Sequence, residues 1–379
     1  MSFKSTTRYL IVISIGLAVA SLSACRVSTS DDPGPITLEF EPGTTVDFSF
    51  ESSGKRLSGI FDVPADQPAE ALIIVVHSYG ETNVRNWISY SDERRRFNDM
   101  RIATALWDKP GLGRSEGTFD IDQPVHESAQ EVLDAVAYLR EIGAPGAQKI
   151  GLWGGSRAGW IAPIALSQDP DLDFWVSVSG TSAEDNFSYL LLSNLPYEGV
   201  THEEALELAD EWRAGCEVFR TRGSFGAYQK ATQKLRANEY IISMRGAWPN
   251  RLQYKFNQRS CEDGKCPNVD NELCDYVWIE NFDHMLSSLN IDVLALFGEK
   301  DLNVNWRKTR DLYTSTMGVN PDASLVVRSF PDADHALNIA QTGSMKEMQA
   351  MSTRTKTEGY FEEQTRWLQE RVLKIPETE

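Results

Sequence analysis

Three widely separated segments carry side chains that could act together on a carbonyl. Gly154-Gly155-Ser156-Arg157-Ala158-Gly159 follows a short apolar run at 150–153 and precedes a helical pattern at 160–167. A strand, a turn crowded with small residues and a helix together present a Ser hydroxyl in a strained, exposed position. The small neighbours avoid collision there, and the helix N-terminus aims N–H groups at the reacting centre. Phe297-Gly298-Glu299-Lys300-Asp301 closes a later apolar run and places Asp301 on the loop beyond it. Phe330-Pro331-Asp332-Ala333-Asp334-His335 closes the last run and places His335 after it. A hydroxyl, an imidazole and a carboxylate in these places are what nucleophilic acyl transfer requires.

The elements that must position these groups are legible as short continuous apolar runs at 72–77, 102–107, 150–153, 174–178, 293–297 and 325–327, each ending in Gly, Ser, Asp or another turn residue. Such runs suit a parallel sheet covered on both faces. Helical patterns lie between them, clearest at 127–141, where Ala129, Val132, Leu133, Val136 and Leu139 recur at helical spacing. The alternation predicts a doubly wound, mostly parallel α/β sheet, in which ligands sit beyond the carboxyl ends of the strands. Alternating residues at 46–50 and 57–63 predict an antiparallel hairpin turning at Ser53-Gly54, on the sheet's edge. From 181 to 290 no buried-strand run occurs. Helical stretches at 203–222 and 227–237, several aromatics and four Cys fill the interval, which reads as a helical cap inserted over the site.

The N-terminus reads separately. Lys4 and Arg8 precede an apolar run at 10–20 that is shorter than the about 20 residues of a bilayer span, so it reads as a secretory leader. Leu22-Ser23-Ala24-Cys25 resembles a bacterial lipobox, which makes Cys25 the lipidated first residue after cleavage. The Ser-, Asp-, Gly- and Pro-rich stretch that follows reads as a tether. The expected organisation is a leader at 1–24, a tether at 25–44, a core at 45–180 and 291–379, and a cap at 181–290. The expected location is the bacterial cell envelope, with a lipid anchor to the membrane.

With 379 residues, 41% hydrophobic and 24% charged, the chain fits one large domain with an insertion. Its net charge is −18, and loss of Lys4 and Arg8 with the leader takes it to −20. So acidic a surface argues against nucleic-acid partners. Cys25 accounts for the odd one of five Cys. The remaining four, in an exported protein, predict two disulfides, since their spacing does not fit paired C-x-x-C zinc ligation. The Asp263-Gly264 turn signal between Cys261 and Cys266 favours that pairing, leaving Cys216 for Cys274.

Val76-His77-Ser78-Tyr79-Gly80, Trp107-Asp108-Lys109-Pro110-Gly111-Leu112-Gly113-Arg114-Ser115, the turn at Ser156, 298–301 and Asp334-His335 together resemble the bacterial α/β-hydrolase family of serine esterases and of dipeptidyl aminopeptidase- or acylaminoacyl-peptidase-like hydrolases. The resemblance spans roughly 46–372 and is weakest in the cap. It implies an α/β-hydrolase fold and makes Ser156 the nucleophile, His335 the general base and Asp301 its orienting acid. The oxyanion hole would use the backbone N–H groups of Arg157 and Tyr79, and neither metal nor cofactor is implied. Two positions depart from the family pattern: Ala158 stands where Gly is usual, and Ser78 replaces the Gly after the oxyanion-loop His. The Arg157 side chain is expected to pair with a neighbouring carboxylate, the alternative being an acidic group of the substrate.

The leading expectation is a carboxylesterase acting on a small-molecule ester. A serine peptidase acting on a short peptide shares the same chemistry, and a catalytically silent ligand-binding lipoprotein is the reading from outside enzymes. His77 is expected to brace the oxyanion loop. His126 precedes a helix, His202 lies in the cap and His284 in a loop. Trp212, Trp248 and Trp278 are expected to pack the cap.

Overall fold

The computed structural model describes residues 38–85, 90–121, 123–183, 185–245, 248–258, 277 and 279–375. The leader, the lipobox with Cys25, most of the tether, Trp278 and the cysteines 261, 266 and 274 lie outside them.

Eight strands form one sheet: β1 (Thr45–Ser52), β2 (Lys55–Asp62), β3 (Ala71–Val76), β4 (Ile102–Trp107), β5 (Ile150–Gly155), β6 (Leu172–Val178), β7 (Asp292–Gly298) and β8 (Ser324–Phe330), in the order β1-β2-β4-β3-β5-β6-β7-β8. β1 and β2 make the expected hairpin. Ser53 and Gly54 both hold positive φ (49° and 72°), the backbone that a two-residue hairpin turn demands. β2 runs antiparallel to β4, and every later pairing is parallel. All six residues of β3 and of β4 are buried, which is why these strands read as continuous apolar runs.

The helices are α1 (Ser91–Asp99), α2 (Val125–Glu141), α3 (Ala158–Gln168), α4 (Phe187–Asn194), α5 (His202–Arg220), α6 (Phe225–Ala231), α7 (Glu239–Arg245), α8 (Arg251–Gln258), α9 (Phe282–Ser287), α10 (Trp306–Thr316), α11 (Met345–Ala350) and α12 (Tyr360–Trp367). One face of the sheet packs α2, α3, α9 and α10 through Val132, Ile161, Leu286 and Tyr313. The other packs α1 and α12 through Phe97, Tyr360 and Trp367. Between β6 and β7 a third apolar cluster joins α4, α5, α6 and α8 through Leu191, Trp212, Phe219, Tyr228 and Tyr254. Cys216 is buried within it on α5.

Two local expectations need correction. The stretch 227–237 is not one helix: α6 ends at Thr232, whose hydroxyl bonds back to the Tyr228 carbonyl at 2.8 Å, and a 3₁₀ turn, Leu235–Ala237, follows. A Thr hydroxyl competing for a helical carbonyl in this way favours ending the helix. His284 sits within α9 rather than in a loop. Among the described residues no helix is long and apolar enough to cross a membrane.

Sheet order reverses at β3, which lies between β4 and β5. The crevice beyond the carboxyl ends of strands at such a reversal is where open α/β sheets bind ligands. The loop after β3 carries His77, Ser78 and Tyr79, and the turn after β5 carries Ser156.

Candidate active site

Ser156 follows β5 directly and precedes α3. Its φ is +54°, a left-handed conformation that a non-Gly residue holds only when its surroundings impose it. Those surroundings are visible. The Ser156 N–H donates to the Val178 carbonyl at 3.0 Å, while its carbonyl accepts from Gly159 at 2.9 Å and Thr181 at 3.1 Å. A Cβ on Gly154 would lie 2.6 Å from that of Ala158, and one on Gly159 would lie 2.6 Å from the Thr181 backbone. The small residues flanking Ser156 are therefore steric requirements, and Ala158 replaces the usual Gly without disturbing the turn.

Asp301 lies beyond β7, its side chain buried. One carboxylate oxygen, Oδ1, accepts the N–H groups of Asn303 and Val304 at 2.8 and 2.9 Å, and Oδ2 lies 2.8 Å from His335 Nδ1. Gly298 lets the two loops meet, since a Cβ there would lie 2.2 Å from the Asp334 carbonyl. Asp334 shapes the His loop by accepting from Ala336 and Asn338 N–H, both at 2.9 Å. Burial by itself would lower the His335 pKa, but the Asp301 carboxylate, with help from Asp334, overrides it and raises the imidazole above its usual 6.5.

His335, Ser156, Arg157 and Tyr79 line one cavity of about 800 Å³. With Nδ1 committed to Asp301, the imidazole has Nε2 left for a partner on the cavity side. Among the described residues Ser156 Oγ makes no hydrogen bond to His335. Such contacts often tighten only with substrate bound.

The oxyanion-loop candidates are held from two directions. Ser78 Oγ donates to the Gly155 carbonyl at 3.0 Å and lies 3.0 Å from Tyr90 Oη, tying the loop to the turn at Ser156. The Ser that departs from the family pattern thus carries a structural bond that a Gly could not make. Buried Lys109 donates to the carbonyls of Ser78 and Gly80, at 2.6 and 2.5 Å, fixing the Ser78–Tyr79 and Gly80–Glu81 peptides. Burial, and then the neighbouring Arg157 guanidinium, push the Lys109 ammonium down to about 7 against the attraction of Glu131. His77 braces the base of the loop as expected: its Nε2 lies 2.8 Å from the Trp107 carbonyl, and burial, with Lys109 next, pushes its pKa down to about 3. A neutral ring therefore donates here.

The Arg157 side chain reaches the N-terminal end of α2, donating to the Gln123 carbonyl and to Ser128 Oγ at 3.2 Å. Trp212 is buried in the cluster around α5, and Trp248 packs against that cluster, as expected. Among the described residues the tryptophans lining the cavity are Trp153 and Trp160.

Residues that sequence reasoning missed include Tyr189 and Asn194 on α4 and Asn186 just before it. Tyr189 Oη donates to the Asp301 carbonyl at 2.8 Å, Asn194 to Leu302 O at 2.9 Å and Asn186 to Asn303 O at 2.7 Å. The segment after β6 therefore holds the loop that carries Asp301. Polar residues on an otherwise apolar helix beginning with Phe187 were the available signal.

No protein-family model matches this chain, and no curated protein matches it. Solved structures do. DcsB in complex with its substrate analogue superposes with a TM-score of 0.53 at 14% identity, covering 87% of this chain and 99% of that one. The esterase Pf2001 of Pyrococcus furiosus gives 0.49 at 15% identity over 87% and 91% of the two chains. Est1E of Butyrivibrio proteoclasticus, with ferulic acid bound, gives 0.46 at 14% over 86% and 99%. At these identities the likeness to DcsB establishes a shared fold, and the sheet order with its antiparallel β2 is that of the α/β-hydrolase fold.

Proposed function

We propose that this chain is a serine hydrolase that cleaves carboxylic esters through an acyl-enzyme. The observation that carries the reading is the 2.8 Å contact of His335 Nδ1 with buried Asp301, in a cavity shared with a Ser156 held at positive φ. His335 Nε2 takes the Ser156 proton as Oγ attacks the ester carbonyl. The developing oxyanion is received by the N–H groups of Arg157 and Tyr79, each worth on the order of 3 kcal/mol. The imidazolium then protonates the leaving alkoxide, and water repeats the sequence on the acyl-enzyme. Hydrolysis of a short p-nitrophenyl ester tests this: wild type should turn it over and folded Ser156→Ala should not. Retained turnover in Ser156→Ala would remove Ser156 from the mechanism. A matched aminoacyl-amide substrate separates ester from peptide cleavage.

The insertion at 181–290 is read as a cap over the site, supported by the separate apolar cluster around Trp212 and by Phe187 and Leu190 lining the cavity. A disulfide from Cys216 is supported by the bonded state of that residue. Peptide mapping without reductant decides between Cys274 and the other partners. The lipobox motivates the same export-and-anchoring scheme: Cys25→Ser should release the protein from membranes, and persistence there after a salt wash would exclude a lipid anchor.

A further inference from the structure

The cavity that holds Ser156 and His335 is also lined by a buried carboxylate that the proposed hydrolysis does not use. Glu93, in the first turn of α1, is 5% exposed. Its Oε1 accepts from Tyr360 Oη at 3.2 Å and lies 3.4 Å from Lys356 Nζ. Among the described residues no donor reaches Oε2. Glu93, Lys356, Tyr360 and Tyr90 all line the cavity that holds Ser156 and His335. The group is also wired to the chemistry: Tyr90 Oη meets Ser78 Oγ at 3.0 Å, and Lys356 Nζ donates at 2.9 Å to the carbonyl of Ala336, the residue after His335.

Oε2 is open to the cavity, and a ligand that shuts it off from water without supplying a donor incurs the cost of an unpaired carboxylate oxygen. The charge already present narrows the donor. Lys356 balances Glu93, so an ammonium ligand would add a second cation beside Lys356, and a carboxylate ligand a second anion beside Glu93. A hydroxyl group supplies the missing donor without disturbing the balance. We infer that Glu93, with Tyr360, Tyr90 and Lys356, forms a recognition subsite for an uncharged, hydroxyl-bearing part of the ester substrate, whose hydroxyl donates to Glu93 Oε2. The inference rests on the esterase reading of the same cavity. A site built to pair a substrate hydroxyl discriminates strongly against the analogue lacking it, because the acceptor it covers is then left unpaired.

Binding to the full chain carrying Ser156→Ala, which holds an ester without cleaving it, tests the subsite by calorimetry. The probes are 2,3-dihydroxypropyl, propyl and 2-aminoethyl butyrate. The dihydroxypropyl ester should bind about tenfold or more tightly than the propyl ester, the scale of one hydrogen bond to a charged acceptor. Adding Glu93→Leu with Lys356→Met, which removes the carboxylate together with its counter-ion, should bring that ratio to within about threefold. Glu93→Gln keeps the side-chain volume and should give an intermediate ratio. Equal affinities for the two neutral esters in the Ser156→Ala protein, a preference unchanged in both Glu93 variants, or tightest binding of the aminoethyl ester would each overturn the inference. Turnover of the same esters by the wild-type protein is read separately. Glu93-dependent binding without butyrate release would overturn the esterase reading and leave the subsite standing, whereas release without any hydroxyl preference would do the reverse.

Discussion

His335 Nδ1 sits 2.8 Å from Asp301 Oδ2, on a carboxylate whose other oxygen is fixed by two backbone N–H groups. The acid cannot rotate without breaking those bonds, so the imidazole inherits a defined tautomer and aim. Asp301→Asn preserves the acceptor for the two N–H groups if its amide oxygen takes the Oδ1 place, but it then turns an NH₂ toward Nδ1 and enforces the wrong tautomer. We expect kcat to fall by about 10³- to 10⁴-fold with the thermal midpoint within a few degrees of wild type. Steady-state kinetics beside a melting curve checks this. A loss below tenfold would assign the orienting role to another acid, Asp332 or Asp334.

The same contact fixes a pH dependence. His335 acts as a base only when neutral, and its pKa is raised above 6.5. Activity should therefore disappear as pH falls through that raised value, and kcat/KM for a neutral ester should show an acid limb centred above 6.5. In Asp301→Asn the limb should move downward, since the largest raising influence is gone. An acid limb centred below 6.5 in the wild-type enzyme would contradict the assignment.

Lys109 offers a test of the oxyanion loop that leaves the Ser, His and Asp in place. Lys109→Met removes both donors to the Ser78 and Gly80 carbonyls while keeping much of the buried volume. Misplacing one oxyanion donor should lower kcat by on the order of 10²-fold with KM changed much less. A rise in KM at unchanged kcat would instead place Lys109 in substrate binding.

Gly298 is where the loops carrying Asp301 and His335 touch. A Cβ there meets the Asp334 carbonyl at 2.2 Å and the Ala333 carbonyl at 2.5 Å. Gly298→Ala should cost about 1–3 kcal/mol through overpacking and reduce activity by displacing His335. Gly143→Ala, at a position where a Cβ meets nothing within 4 Å, should leave activity intact despite its own backbone strain. Urea denaturation and ester kinetics on both variants make the comparison, and equal activities would contradict it.

Much of this architecture was legible because burial on both faces of a parallel sheet forces continuous apolar runs such as Leu72 to Val76, and because Gly154, Ser156 and Gly159 satisfy steric demands that few residue types can meet. The loops carrying Ser156, Asp301 and His335 follow strand ends and inherit that legibility. What the sequence did not reveal are contacts between side chains far apart in the chain. Lys109 reaching the Ser78 and Gly80 carbonyls, Tyr189 holding Asp301, and Glu93 meeting Tyr360 across 267 positions depend on how the loops fold back over the sheet. No local pattern encodes them. Arg157 shows the same limit: its position in the turn was plain, but its bonds to Ser128 and the Gln123 carbonyl required the placement of α2.

The central claim is that Ser156 is an activated nucleophile. A fluorophosphonate probe forms a covalent bond only with such a serine, and it tests the claim independently of which ester is chosen. The account predicts near-stoichiometric labelling of the wild-type protein on the peptide containing Ser156, and none in Ser156→Ala. Labelling should be greatly slowed in Asp301→Asn. An unlabelled wild-type protein, or a Ser156→Ala variant labelled as fully as wild type, would contradict it.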